Sequence, residues 1–370
     1  MDPSPLLELH RARGTRLAER PEAAGHAAAL AFGDVPAEYH AARAGCALLD
    51  TSDRGRVTLR GPDAADFLHR LLANHVKSLG AGNGNANLLL SPKGKVLFDF
   101  DLVRHAEHFE LSTPPGRAPS LRAALERYHF SERIELTDTS AGHAPVELEG
   151  PTDVEILARL LGAQPPELAP HAWRALAWKG GALELHALAA RHWRLDAGPA
   201  RASELWEALR AAGATACGLV VRDSLRVERG RALSGVDVDE NVYPQEAGLE
   251  LAFALDKGCY VGQEVVAKID TYGGLNKRLL VLRVDHSDPV ARGTRLLRDD
   301  EGERRELGLV TSWAYSFALD GGLVLAYVKR RHQEPGTSFD LGDEHGNARG
   351  RATIVVPPGQ ASIQRFDSGR

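Results

Sequence analysis

Two stretches of this chain repeat each other at a fixed offset, and that repetition limits the folds available to it. Val57-Thr58-Leu59-Arg60-Gly61-Pro62-Asp63 leads into Phe67-Leu68-His69-Arg70-Leu71-Leu72, and Val146-Glu147-Leu148-Glu149-Gly150-Pro151 leads into Ile156-Leu157-Ala158-Arg159-Leu160-Leu161. Matching positions lie 89 residues apart, from Gly61 to Gly150 and from Leu72 to Leu161. In each copy an alternating apolar/polar run reads as a strand. Gly-Pro then breaks it, because proline cannot donate to a ladder yet suits the first turn of a helix. Ala64, Phe67, Leu68, Leu71, Leu72 and Val76 follow at helical spacing on one face. A strand–turn–helix unit is therefore used twice, and the shared turn in register favours duplication over coincidence.

The same rhythm recurs where His108–Ser112 precedes a helix near Ser120–Arg127, and where Trp193–Asp196 precedes one near Ala202–Ala212. Strands alternating with helices at this spacing predict an α+β body of ferredoxin-like units. Helical periodicity then stops. Leu279–Val284, Gly308–Trp313, Gly322–Val328, Ser338–Leu341 and Ala352–Val356 are short β-rich runs between turns, which predicts a small antiparallel C-terminal barrel. The expected division is an N-terminal arm over 1–32, a main region of two interleaved α+β subdomains over 33–276, a barrel over 277–358 and a tail over 359–370.

Composition narrows the function classes. The 45 basic and 50 acidic residues give a net charge of −5, which argues against a broad cationic nucleic-acid footprint. No apolar run reaches the ~18 residues of a membrane span, and the first residues lack the apolar core of a secretory signal. Three cysteines, Cys46, Cys217 and Cys259, form no CxxC pair, so a reducing, cytoplasmic setting is expected and neither a disulfide framework nor an all-cysteine metal site is. Cys46 lies in an apolar run and reads as core. There is no HExxH arrangement and no phosphate loop, and His105 with His108 falls in a polar turn, so no metal is expected.

Between Val221 and Arg278 the sequence stops being generic. Gly258 and Gly262 bracket Cys259 and Tyr260, and glycine lets a backbone approach a ligand closely. Lys257 stands two positions before the thiol, where a cation favours the reactive thiolate. A small buried hydrophobe is the competing reading of Cys259. The chemistry alone leaves the two readings even.

Lys257-Gly258-Cys259-Tyr260-Val261-Gly262-Gln263-Glu264 resembles the K-G-C-Y-x-G-Q-E signature of the YgfZ family of folate-binding, iron–sulfur-maintenance proteins, a branch of the group that contains the glycine-cleavage T-protein, an aminomethyltransferase (GcvT). Further resemblance to this group lies in Asp223–Gly230 (D-S-L-R-x-E-x-G), Tyr243–Leu249, Gly61–Ala64, Leu71–Val76 and Asn276–Arg278. Together these cover about residues 32 to 356. The resemblance implies three domains in a ring around a channel that holds tetrahydrofolate. It implies Glu228 as the carboxylate that accepts from the pterin's aminopyrimidine edge, with Tyr260, Gly262, Gln263 and Asn74 as further folate-contacting positions. Without it, Glu228 reads as a solvated strand-edge acid. Arg278 or Lys277 would pair with the glutamyl tail, or form an ordinary basic turn.

The T-protein also places an aspartate near the folate nitrogens in a G-x-x-x-D-D segment. Here Gly94–Leu102 supplies Asp99 at the second aspartate, and Phe98 replaces the first. Asp99 and Asp101 share one face of a strand, Phe98, Phe100 and Leu102 the other. Two such carboxylates suit acid/base work with separated pKa values, or mark a wet strand face. The T-protein's S-H-x-G element is Ser52-Asp53-Arg54-Gly55 here, without its histidine. Three functions follow from the resemblance. The favoured one is a tetrahydrofolate-binding protein that supports iron–sulfur client or scaffold proteins through Cys259 and Lys257. The second is a folate-dependent aminomethyl transferase using Asp99. The third is a folate-binding scaffold with a structural cysteine.

Overall fold

The computed structural model describes residues 4–300, 302–342 and 348–357. The expected tail over 359–370 lies outside the described residues. The chain forms two compact units. The first comprises Met1–Pro92, Leu97–Val221 and Leu251–Gln263; the second comprises Lys93–Val96, Arg222–Glu250 and the chain from Glu264 onward. No helix among the described residues is long and apolar enough to cross a membrane.

The first unit opens with α1 (Leu7–Ala12) and an antiparallel hairpin, β1 (Arg16–Arg20) and β2 (Ala23–Ala31), where an extended arm was expected. The alanine-rich β2 has little intrinsic strand preference. Its order comes from packing: Ala28, Ala29 and Ala31 are buried, Leu6 joins the core, and His10 Nε2 bonds Asp50 Oδ2 at 2.9 Å. Next comes α2 (Val35–Ala44), whose N-cap Asp34 accepts from Ala37 N at 3.2 Å. The chain then runs β3 (Ala47–Asp50), β4 (Gly55–Arg60), α3 (Ala64–Leu71), β5 (Gly84–Leu90), β6 (Val96–Arg104), β7 (His108–Thr113), α4 (Ala118–Glu126) and β8 (Glu135–Asp138). It continues through β9 (Val146–Glu149), α5 (Asp153–Leu161), β10 (Trp173–Trp178), β11 (Gly181–Ala189), β12 (His192–Asp196), α6 (Ala202–Ala211) and β13 (Thr215–Ala216) into α7 (Leu219–Glu228).

Two sheets result, in the orders β5-β6-β7-β4-β8 and β10-β11-β12-β9-β3-β13. The predicted repeat is visible in them. The first copy is β4 then α3; the second is β9 then α5. Their flanking strands are exchanged: β3 leads into β4 but pairs with β9, and β8 leads toward β9 but pairs with β4. Each sheet buries one apolar face against its own helices. Val57, Leu59, Phe100, Leu102, Phe109 and Leu111 pack on α3 and α4; Leu148, Leu185, Trp193 and Leu195 pack on α5 and α6.

The second unit ends in a closed barrel preceded by α8 (Gln263–Tyr272). Its strands are β14 (Lys277–Val284), β15 (Arg295–Asp300), β16 (Glu303–Ser316), β17 (Gly321–Lys329), β18 (Ser338–Gly342) and β19 (Ala348–Ile354), in the order β14-β17-β16-β15-β18-β19 and antiparallel throughout. Closure leaves no open sheet edge. The charged end of Arg295–Asp300 hid β15 from the sequence pattern. The chain is thus α+β with a six-stranded antiparallel C-terminal barrel.

Both turn glycines of the repeat are irreplaceable for the same reason. Gly61 has φ +120° and a Cβ there would stand 2.1 Å from Arg133 O; Gly150 has φ +153° and its Cβ would stand 2.3 Å from Gly45 O. Gly61→Ala and Gly150→Ala should each cost about 2 kcal/mol or more, since backbone must move as well as twist. Urea unfolding of the two variants measures it, and an unchanged midpoint for either would contradict the close approach.

Candidate functional site

In the first unit the faces of the two sheets that turn away from the helices carry charge, and they are not wet. Arg194 of β12 is buried and ties its strand to three others: Nη2 donates to Asp101 Oδ2 of β6 at 3.0 Å, Nε and Nη2 donate to Glu147 Oε1 of β9 at 3.1 and 3.0 Å, and Nη1 donates to Ser112 Oγ of β7 at 3.2 Å. Burial opposes ionisation of Asp101, but Arg194, His171 and Arg54 outweigh it and hold its carboxyl well below the usual range. Glu147 is held down the same way, against its burial, by Arg194 and His192. Arg56 of β4 bridges Glu110 of β7 at 3.4 Å and Glu184 of β11 at 3.5 Å.

This seam gives the two β6 acids different settings. Asp101 is committed to ion pairs. Asp99, half-buried on the same strand face, interacts with the half-buried Arg54 guanidinium. Phe100 and Leu102 lie in the core behind them, as the alternation predicts.

The cysteine motif begins in the same unit. Gly258 and Gly262 have φ +94° and +83°, so the two bracketing glycines are needed by the backbone. Lys257 is buried and its Nζ donates to His69 O at 2.6 Å and Leu72 O at 2.8 Å. Burial pulls its pKa down to about 8, with the Cys259 charge acting the other way. Cys259 is exposed, so the buried-hydrophobe reading of this thiol does not hold. Tyr260 is buried under Lys257, whose Nζ lies 4.9 Å from the ring centroid. Burial raises its phenol to about 12, and the hydroxyl has no hydrogen-bond partner among the described residues. Asn74 braces the surrounding loops. Its Nδ2 donates to Ala86 O and Leu251 O, both at 2.9 Å, and its Oδ1 accepts from His75 N. Gln263 opens α8, its N–H bonded to Tyr260 O at 3.2 Å.

The second unit holds the remaining expected residues. Glu228 ends α7 and is buried, so the strand-edge reading of it is replaced by a helix-end carboxylate inside the fold. Its Oε1 accepts from Ser316 Oγ at 2.6 Å. Arg278 is exposed on β14, 3.7 Å from an equally exposed Glu250, and Lys277 Nζ lies 4.5 Å above the Tyr327 ring.

The sequence showed His105 and His108 as a pair in a polar turn but not that histidines gather along the seam. His105 and His108 stack at 4.1 Å, and their ligand atoms lie within 4.8 Å of Glu110. Burial and His105 push His108 down to about 4. His143, Glu184 and Asp196 form a similar group. In both groups Arg56 already faces a carboxylate, so the positive charge a metal would bring is present. The available signal was the alternation of polar residues in His108-Glu110-Ser112 and His192-Arg194-Asp196, which reads as solvated until a second sheet is known to cover it.

With this arrangement in view, residues 9–257 match the model of the GCVT N-terminal domain, and residues 277–359 match that of the glycine cleavage T-protein C-terminal barrel domain. The chain belongs to the glycine cleavage T-protein family. Among its relatives, an aminomethyltransferase of Rubrobacter xylanophilus is 31% identical over 339 residues, covering 88% of this chain and 86% of that one. An aminomethyltransferase of Halothermothrix orenii is 26% identical, covering 92% and 95%. The crystal structure of the glycine cleavage system aminomethyltransferase T from Bartonella henselae shares the fold, with a TM-score of 0.82 at 24% identity over 96% and 97% of the two chains.

Two outcomes follow from the geometry within the first unit. Removing the Arg194 guanidinium by Arg194→Met takes the shortest ion-pair partner from the half-buried Asp101 and a bidentate partner from the buried Glu147, leaving them His171, Arg54 and His192, and should cost about 3 kcal/mol in urea unfolding; a loss below about 1 kcal/mol would show the seam to be wet. Iodoacetamide should alkylate Cys259 in the native protein. Cys46 and Cys217 are buried, which pushes both thiols up, Cys217 to about 12, and they should react only after denaturation. Peptide mass mapping distinguishes the three.

Proposed function

We propose that this protein is a tetrahydrofolate-dependent one-carbon transferase of the aminomethyl type, with Asp99 as the acid/base or electrostatic group. The observation that carries the reading is the unequal pair on β6: Asp101 is locked by Arg194, and Asp99 is the half-buried acid of the same face, set beside the Arg54 guanidinium. The relatives named aminomethyltransferase over nearly the full chain favour this reading over the iron–sulfur one expected from the octet.

In such a transfer the two folate nitrogens form bonds to the aminomethyl carbon as its bonds to nitrogen and to the donor's carrier group break, their two protons leaving with ammonia and with the carrier, so positive charge develops near the reacting carbon. A carboxylate beside it stabilises that charge and accepts a proton. Tetrahydrofolate is the acceptor substrate. In the second unit the buried carboxylate of Glu228 has the acceptors that the resemblance assigns to the donor edge of an aminopyrimidine, and in the first unit the Tyr260 hydroxyl has no hydrogen-bond partner among the described residues. Arg278, exposed and loosely paired, suits the anionic glutamyl end.

Asp99→Asn should lower kcat by about 10²-fold or more, in line with loss of an acid/base group. Its affinity for tetrahydrofolate, read from tryptophan fluorescence, should change only a few-fold. Purified protein that releases no ammonia from any of several aminomethyl donors in the presence of tetrahydrofolate would overturn the proposal.

One observation favours a second reading, the YgfZ-type role in supporting iron–sulfur proteins: Cys259 is exposed between its two positive-φ glycines. A single cysteine cannot hold a cluster, so a client or scaffold protein would have to complete the contact. Cys259→Ala separates the readings. Under the first it leaves transfer intact; under the second it abolishes cellular function while folate binding persists.

A further inference from the structure

Lys257 and Cys259 take no part in the transfer proposed above, yet the fold gives Lys257 a job of its own. The chain returns to the first unit for Leu251–Gln263 and then leaves it. Within that unit the segment lies as a strap along the C-terminal end of α3. Ala73 N, which would continue the helical ladder to His69 O, turns to Leu88 O instead, so the helix leaves His69 O without a donor. Lys257 Nζ takes that place, donating to His69 O at 2.6 Å and to Leu72 O at 2.8 Å. His69 Nε2 reaches back to Lys257 O at 2.9 Å. A cation at a helix C-terminus also meets the negative end of its dipole. The rest of the fastening is polar too: Ala254 N donates to Ala73 O and Asn74 Nδ2 to Leu251 O, both at 2.9 Å.

This closure is shallow for three reasons. The Lys257 ammonium is buried on carbonyls alone, with no carboxylate in ion-pair distance among the described residues, and burial pulls its pKa down to about 8. The Tyr260 hydroxyl is buried without a partner among the described residues, so closing forfeits its bond to water. The apolar side chains are poorly used: Ala252 and Tyr260 are buried, but Leu251 is 89% exposed and Leu255 38%. A segment held by a few polar bonds over little apolar area belongs to the low end of local stability.

We propose that Leu251–Gln263 is a strap that opens locally as one piece, with the Lys257 ammonium as its latch on the end of α3. Opening breaks no covalent bond and moves Cys259 and Tyr260 together, so the latch sets where the exposed thiol stands. Lys257 is a positioning residue for Cys259 and not the cation that activates it. The device is independent of the transfer reaction.

Native-state hydrogen exchange of the full chain, resolved by residue, tests it. In the unmodified protein the Ala254 amide should exchange at least about 100-fold faster than the amides that pair β4 with β7. Its rate should hold within about twofold on adding about 1 M urea, because local opening exposes little surface. Lys257→Met keeps the buried stem and removes the ammonium. It should speed Ala254 exchange at least tenfold, still without urea dependence, and leave the pH midpoint of Cys259 alkylation by iodoacetamide unmoved. The measurement on the unmodified chain decides the matter by itself if the variant fails to fold. Ala254 exchange at the rate of the β4–β7 amides, or with their urea dependence, would overturn the strap. Exchange unmoved by Lys257→Met would overturn the latch, and an alkylation midpoint raised by about one pH unit or more would make Lys257 the activator of the thiol instead.

Discussion

The first unit depends on a buried guanidinium. Arg194 reaches from β12 to carboxylates on β6 and β9, and so fastens the polar faces of two sheets whose apolar faces are already covered by helices. Ordinary sheet packing would place apolar side chains on both sides of such a contact. Here the charged faces meet, and that is tolerable only because each charge has a partner within ion-pair distance: Arg194 with Asp101 and Glu147, Arg56 with Glu110 and Glu184. A hydrophobic seam of equal volume would serve stability as well or better. What the ionic seam adds is a defined electrostatic environment for Asp99.

Strand exchange reinforces this. Since β3 precedes one copy of the repeat and pairs with the other, and β8 does the reverse, neither copy can complete its sheet alone. The two sheets are therefore cooperative by connectivity before any side chain contributes. Gly61 and Gly150 stand where that exchange brings backbones closest, which explains why both copies retain glycine at the same place.

Much of the proposed site was legible. The alternation around Asp99 gave its strand and its face correctly, and the glycines around Cys259 have the positive φ that such a bracket demands. Other residues were legible in type but not in setting. Glu228 could be matched to a motif, yet only the fold shows a buried helix end bonded to Ser316. Asn74 could be matched as a ligand contact, yet only the fold shows that its amide holds two loop carbonyls in place. His105 with His108 read as a polar turn and His143 and His186 gave no signal, because their settings are completed by strands that come together only in the folded chain.

By itself the sequence determined the repeat, the α+β order of elements, the antiparallel barrel and the glycine-bracketed thiol motif. Each of these rests on local periodicity or on glycine and proline, whose backbone limits act within a few residues. Tertiary structure alone decided that the alanine-rich N-terminal segment would be a packed hairpin, that polar strand faces would be buried rather than wet, and which of two neighbouring aspartates would be locked. Those outcomes depend on which surface covers which. A side chain's own chemistry does not specify whether water or a guanidinium from another sheet will stand opposite it.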